Sequence, residues 1–164
     1  MAVSKIGPTG LASTVSASYG KLVGIKSVTT GTATTTTGTT LVDATNCTIA
    51  YTQAASGNYV IVTVSGTAWA TGTLAQRRPV YVIAKDGSAV AQQNFNQITT
   101  ASGGNAYQGA SLCLQYYGSG GSTSAITYKL QLKCTSADTG STAGFNQTVS
   151  GANAAVISVL EFEV

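Results

Sequence analysis

From Ile126 to Cys134 every second residue is apolar: Ile126, Tyr128, Leu130, Leu132 and Cys134 alternate with Thr127, Lys129, Gln131 and Lys133. A period of two places one set on each face of a β-strand, so this segment predicts a strand with one dry and one wet side. Tyr59 to Ser65 alternates differently. Val60, Val62 and Val64 face one way and Tyr59, Ile61 and Thr63 the other, the pattern of a central strand covered on both sides. The run Val156 to Val164 is also two-faced and apolar to its last residue, so it demands cover on both faces.

Shorter runs fill the intervals. Leu22 to Thr29, Leu41 to Asp43, Cys47 to Thr52, Val80 to Lys85, Ala89 to Gln93, Ser111 to Tyr117 and Ala143 to Val149 all read as strands. Asp86-Gly87 between two such runs predicts a tight hairpin, because both turn positions favour positive φ. Gly118 to Ser122 reads as a flexible hairpin tip, and the Thr/Gly run from Thr29 to Thr40 and the polar stretch Gln92 to Gln108 read as loops or edges. Residues 1–20 lack periodicity, and Gly7-Pro8-Thr9-Gly10 breaks any helix there. They predict an arm whose isolated apolar residues Val3, Ile6, Leu11 and Val15 dock on a neighbour. With about eight to ten strands and no amphipathic helix, residues 21–164 predict a single all-β sandwich, and a jelly roll suits that strand count with its long polar crossings.

Composition narrows the function. Charged residues are 8% of the 164-residue chain, against about a quarter in ordinary domains, and the net charge of +3 is scattered. Nucleic-acid binding needs a denser basic stripe, so Arg77-Arg78 reads as a solvated loop pair or a subunit contact rather than a phosphate site. Cys47, Cys113 and Cys134 lack metal or disulfide spacing and read as small core residues. No apolar stretch has the length of a signal sequence or a membrane span, which predicts a cytosol-like compartment or a particle assembled there.

Several short motifs together resemble a family of small structural proteins of tailed bacteriophages. Tyr19-Gly-Lys-Leu-Val matches the family's glycine-lysine lead into the first strand. A Thr/Gly-rich stretch then reaches Leu41-Val42-Asp43, and a Gly, Tyr, Val pattern runs from Gly57 through Tyr59 to Val62, with Val60 intervening. Thr127-Tyr-Lys-Leu-Gln-Leu132, followed by the segment around Asn146 and by Ile157-Ser-Val-Leu-Glu161, carries the most specific part. The resemblance implies a jelly roll of the tumour-necrosis-factor type, trimeric on a virion surface as a capsid decoration or fibre head. It also places the terminal strand near the trimer axis, with Ile157, Val159, Leu160, Phe162 and Val164 as interface. Phe162 and Val164 extend the apolar run beyond the family's usual ending.

Candidate chemistry is sparse. Asp138-Thr139-Gly140-Ser141 spells the tetrapeptide of aspartic proteases, but the preceding Cys134-Thr-Ser-Ala137 is mostly polar where that motif needs an apolar strand, so a turn is the favoured reading. Glu161 and Glu163 share a strand face about 7 Å apart, inside the ~6.5–9.5 Å spacing of inverting glycosidases. Neighbours on one strand point in parallel rather than across a cleft, which favours a pair at a wet patch or opposite a partner's Lys or Arg. Three copies around an axis are the less favoured alternative, as a cation site. With no His in the chain, nucleophile activation lacks its usual base. The expectation is a non-enzymatic virion protein without cofactors, a homotrimer attached through its arm to the major capsid protein or another virion protein. The competing reading is a fibre module that binds host-surface glycan through Tyr107, Tyr116 and Tyr117; Trp69, at the end of an apolar strand, reads as core.

Overall fold

A computed structural model describes residues 20–71, 79–94, 108–135, 142–148, 151–152 and 154–164. Its strands are β1 (Lys21–Thr30), β2 (Thr34–Thr36), β3 (Val42–Tyr51), β4 (Tyr59–Thr71), β5 (Pro79–Lys85), β6 (Ser88–Asn94), β7 (Gln108–Ser119), β8 (Ile126–Cys134), β9 (Thr142–Phe145), β10 (Gln147–Thr148), β11 (Gly151–Ala152) and β12 (Ala155–Glu163). They form two antiparallel sheets packed face to face, with β10 and β11 as a separate two-stranded ladder. The arm residues Val3, Ile6, Leu11 and Val15, the Arg77-Arg78 pair, Tyr107 and the Asp138 to Ser141 tetrapeptide lie outside the described residues.

The first sheet is organised around β4. Along one side of it β12 pairs with Tyr59 to Ser65 and β9 with Ala68 to Thr71, end to end. β1 backs β12, β2 backs β9, and β7 pairs with the other side of β4 along nearly its whole length. The second sheet has the order β3-β8-β5-β6. Its β5–β6 hairpin turns at Asp86 and Gly87, whose φ values of 46° and 84° are those the Asp-Gly signal requires. Asp86 also holds β8, accepting the Thr127 amide at 2.8 Å.

The inward positions of both sheets make one core. Val60, Val62, Val64 and Ala68 of β4 join Ile157 and Val159 of β12 and Leu112 and Leu114 of β7, facing Ile49, Tyr81, Ile83, Tyr128, Leu130 and Leu132 of the second sheet. Cys47 and Cys134 are buried as expected, and burial pushes the Cys47 thiol up to about 12 although a backbone bond from Leu130 opposes it. Cys113 corrects the sequence expectation. Leu112 and Leu114 take the inward positions of β7, so the residue between them faces out and is exposed.

A buried tyrosine ties the two layers together. Tyr81 of β5 donates its hydroxyl proton to the Gly144 carbonyl of β9 at 2.6 Å, with the Trp69 carbonyl also near at 3.3 Å. Replacing it by Phe keeps the ring but leaves the Gly144 carbonyl without this donor, and Tyr81→Phe is expected to cost about 1–2 kcal/mol. Urea unfolding checks this; an unchanged midpoint would mean the bond contributes nothing. Trp69 is itself buried, its indole lying on Gly144.

Candidate functional site

Because the antiparallel ladders are in register, residues opposed on neighbouring strands share a face of the sheet. On the outer side of the first sheet one row runs Ile25, Leu160, Ile61, Tyr117 across β1, β12, β4 and β7. The next runs Leu22, Phe162, Tyr59, Ser119. Neither row contains a charge. Ile25 is 67% exposed and Tyr117 66%, with Leu22 and Tyr59 also exposed and Leu160, Phe162 and Ile61 half-buried. The Tyr59 and Tyr117 rings stack nearly parallel, 5.2 Å apart.

The patch ends abruptly. The following row is Ser27, Ser158, Thr63, Gln115, in which the Gln115 amide donates to the Thr63 hydroxyl at 3.3 Å. The outer side of the second sheet is different again. There Asp43 accepts from Lys129 and Gln131, each at 2.7 Å, and the hydrogen bond from Lys129 foremost holds its carboxyl below the usual range. One end of one face therefore gathers the exposed large apolar side chains. Contiguous exposed apolar surface of this kind marks an interaction site rather than ordinary scatter.

Beneath the patch lies a buried carboxylate. Odd-numbered residues of β12 point inward, so Ile157, Val159 and Glu161 are interior and Val156, Ser158, Leu160 and Phe162 are exterior. Glu161 is 1% exposed. Its Oε1 accepts from Asn58 Nδ2 at 2.6 Å and the Ala54 amide at 2.9 Å, and its Oε2 accepts from the Tyr51 hydroxyl at 2.7 Å. Burial opposes its charge, but the donors Asn58, Tyr51 and the Ala54 and Ala55 amides outweigh that and hold its pKa below the usual carboxylate value. Conversely, burial and then the bond to Glu161 push the Tyr51 hydroxyl up to about 12, so it remains a donor throughout the neutral range.

β1 leaves room for this arrangement by placing Gly24 opposite Glu161, next to a break in register after Leu22. A Cβ at Gly24 would collide with the Tyr51 hydroxyl. The small residue is there because a tyrosine tip from the other sheet comes against the backbone.

This geometry corrects several expectations. Glu161 does not stand with Glu163 at a wet patch: Glu163 is exposed at the strand end, whereas Glu161 is sealed in the sandwich with both oxygens occupied. It faces away from the outer surface, so copies of it cannot meet around an axis there. Ile157 and Val159 are fully buried in the chain's own core, which removes their side chains from any surface between copies. Leu160 and Phe162 point outward, and Val164 is exposed. Tyr116 packs against the core with its ring 6.3 Å from that of Tyr128, so of the two described tyrosines proposed for glycan contact, Tyr116 and Tyr117, Tyr117 is the one displayed.

The sequence pattern alone passed over Leu22, Ile25, Tyr59 and Ile61 as site residues. Their signal was the apolar second face of the Tyr59 to Ser65 run, which required a cover left unassigned. Among the described residues no group of His, Cys, Asp or Glu has the makings of a metal site. No protein-family model matches this chain, and no curated protein matches it either.

Proposed function

We propose that this chain is a structural protein of a bacteriophage virion, a homotrimeric jelly roll that decorates or cements the outer capsid through an arm formed by residues 1–20. The observation that carries the reading is the uncharged apolar face of β1, β12, β4 and β7, built for contact with further copies. Leu160, Phe162 and Val164 remain interface residues in this proposal, joined by Leu22, Ile25, Tyr59, Ile61 and Tyr117. The strand orders β1-β12-β4-β7 and β3-β8-β5-β6 support the jelly roll, since the chain passes between sheets at almost every connection and its first and last strands lie side by side. The resemblance of its short motifs to those of phage structural proteins supports the virion setting.

The mechanism is attachment by avidity. Each arm presents Val3, Ile6, Leu11 and Val15 to capsid subunits, and linking three arms on one trimer multiplies weak contacts through effective concentration. No catalysis is needed, and the sparse charge suits a passive outer surface. Deleting residues 1–20 is expected to leave the sandwich folded and abolish co-sedimentation with particles. Retention of the truncated protein on particles would overturn arm-mediated attachment.

The exposed Tyr117 ring favours a second reading, a fibre module that stacks host-surface glycan on the Tyr59–Tyr117 pair. Glycan binding that disappears in Tyr117→Ala while the subunit stays monomeric would favour it over the trimer.

A further inference from the structure

We propose that Glu161 is an acid-released latch: on taking up a proton it lets go of the 52–58 loop and loosens the Tyr59–Tyr117 end of the apolar face. The second half rests on the self-association reading above; the first stands on the geometry alone.

The loop between β3 and β4 has little to hold it by itself. Asn58 donates its amide to the Ala55 carbonyl at 3.2 Å, Gln53 Nε2 donates to the Asn58 carbonyl at 2.9 Å, and Ser119 reaches the Ser56 carbonyl at 3.4 Å. Its ties to β12 are the Ala54 and Ala55 amides and the Asn58 side chain, and all of them end on Glu161. Tyr59, one ring of the exposed stack, follows Asn58 directly in the chain.

A charged carboxylate offers only acceptors, which suits a shell made entirely of donors. A protonated one carries an O–H that must point at something. Tyr51 can rotate its hydroxyl to accept, but the Ala54 amide reaches both oxygens, at 2.9 and 3.2 Å, and cannot, so a proton on either oxygen competes with it, and the neutral carboxyl is also a weaker acceptor for Asn58. The ties that fail first are those of the loop.

The surrounding charges do not mask this switch. From β3 the titratable group facing Glu161 is Tyr51 itself. On β1 the Lys26 ammonium is engaged with the Ala50 carbonyl at 2.7 Å, and Lys21 stands opposite Glu163 at the strand end. From β5 the Lys85 ammonium is taken by the Ser119 and Gly120 carbonyls at 3.2 and 2.8 Å. β4 and β7 bring Tyr59 and Tyr117 outside and Tyr116 within, and β8 brings Tyr128 within, while its Lys129 and Lys133 lie on the outer side of the second sheet, Lys129 paired with Asp43. Among the described residues Glu161 has no ion-pair partner, so its charge is held by neutral donors alone.

Hydrogen exchange on the full chain, stepped from neutral to acid and corrected for intrinsic rates, tests the latch, with solution mass measured at each step. Peptides spanning residues 53–59 should lose at least about tenfold in protection below the ordinary carboxylate range while peptides of 126–134 keep theirs, a loss equivalent to 1.4 kcal/mol of local stability. Tyr51→Phe removes one donor from the charged form and should move the release to higher pH; Glu161→Gln should leave the loop open at neutral pH. Protection of 53–59 that is constant until global unfolding, or lost together with 126–134, overturns the proposal. A monomer that still releases the loop supports the latch and overturns self-association, whereas a trimer with an acid-insensitive loop overturns the latch alone.

Discussion

Glu161→Ala is expected to destabilise the fold by about 3–5 kcal/mol, the cost of leaving several buried donors without an acceptor. The Tyr51 hydroxyl, the Asn58 amide and the Ala54 amide all lose their partner at once. Set against the ~5–15 kcal/mol of stability usual for a domain, this is a loss large enough to unfold part of the population at moderate temperature. Equilibrium urea unfolding of the variant and the parent measures it directly. A change under about 0.5 kcal/mol, the range of ordinary surface substitutions, would contradict the burial and bonding described.

The same group sets a pH dependence whose sign is fixed. Its pKa lies below the ordinary 4.5 in the folded chain, so the folded state binds its proton less readily than the unfolded state does. The stabilisation is therefore fully present above the unfolded value and is lost as pH falls through the folded value. Asp43, also lowered, adds a smaller contribution of the same sign, reduced by its exposure to solvent. In Glu161→Gln the acid slope should shrink to what Asp43 and the remaining carboxylates supply.

The second large effect concerns assembly. Ile25→Glu places a carboxylate at the β1 end of the uncharged row, on a side chain so exposed in the single chain that folding should change by no more than about 0.5 kcal/mol. Between copies that carboxylate would be stripped of water with no cation opposite, a penalty of several kcal/mol for each subunit. Sedimentation should then show a folded monomer of 16.5 kDa. Thr48→Glu, exposed on β3 opposite Lys129 on the other sheet, is the control and should leave assembly intact. An Ile25→Glu protein that sediments like its parent would show that this face is not the contact.

How much of this was legible in the chain depends on parity. Strand β8 was readable to its last residue, because Ile126 to Cys134 alternates without a break. The central place of β4 followed from valines on one face and large apolar residues on the other. The strand's extension to Thr71 did not, since Gly66 and Thr67 interrupt the apolar pattern while the backbone continues pairing with β7 and β9. β3 likewise runs through an irregularity around Asn46, whose positive φ accommodates a shift in register that splits the sequence signal in two.

Parity also separates the interface residues, and grouping the whole terminal strand together missed it. Residues 157, 159 and 161 share the inner face, so an interface containing both Ile157 and Leu160 is inconsistent with a single sheet surface. Glu161 runs against the local pattern, because a carboxylate in an alternating strand ordinarily marks the wet side. What turns it inward is a donor set contributed by Tyr51, Ala54 and Asn58, separated from it by 110, 107 and 103 positions. No local pattern carries that information; it exists only once β3 and β12 face each other across the sandwich.

In the proposed assembly the outer face of the first sheet joins copies of this chain. The mass of the intact protein in solution, measured by sedimentation equilibrium at neutral pH, tests it most directly. Self-association as a homotrimer predicts a single species of three times 16.5 kDa, and a monomer of 16.5 kDa at every concentration reached would contradict it.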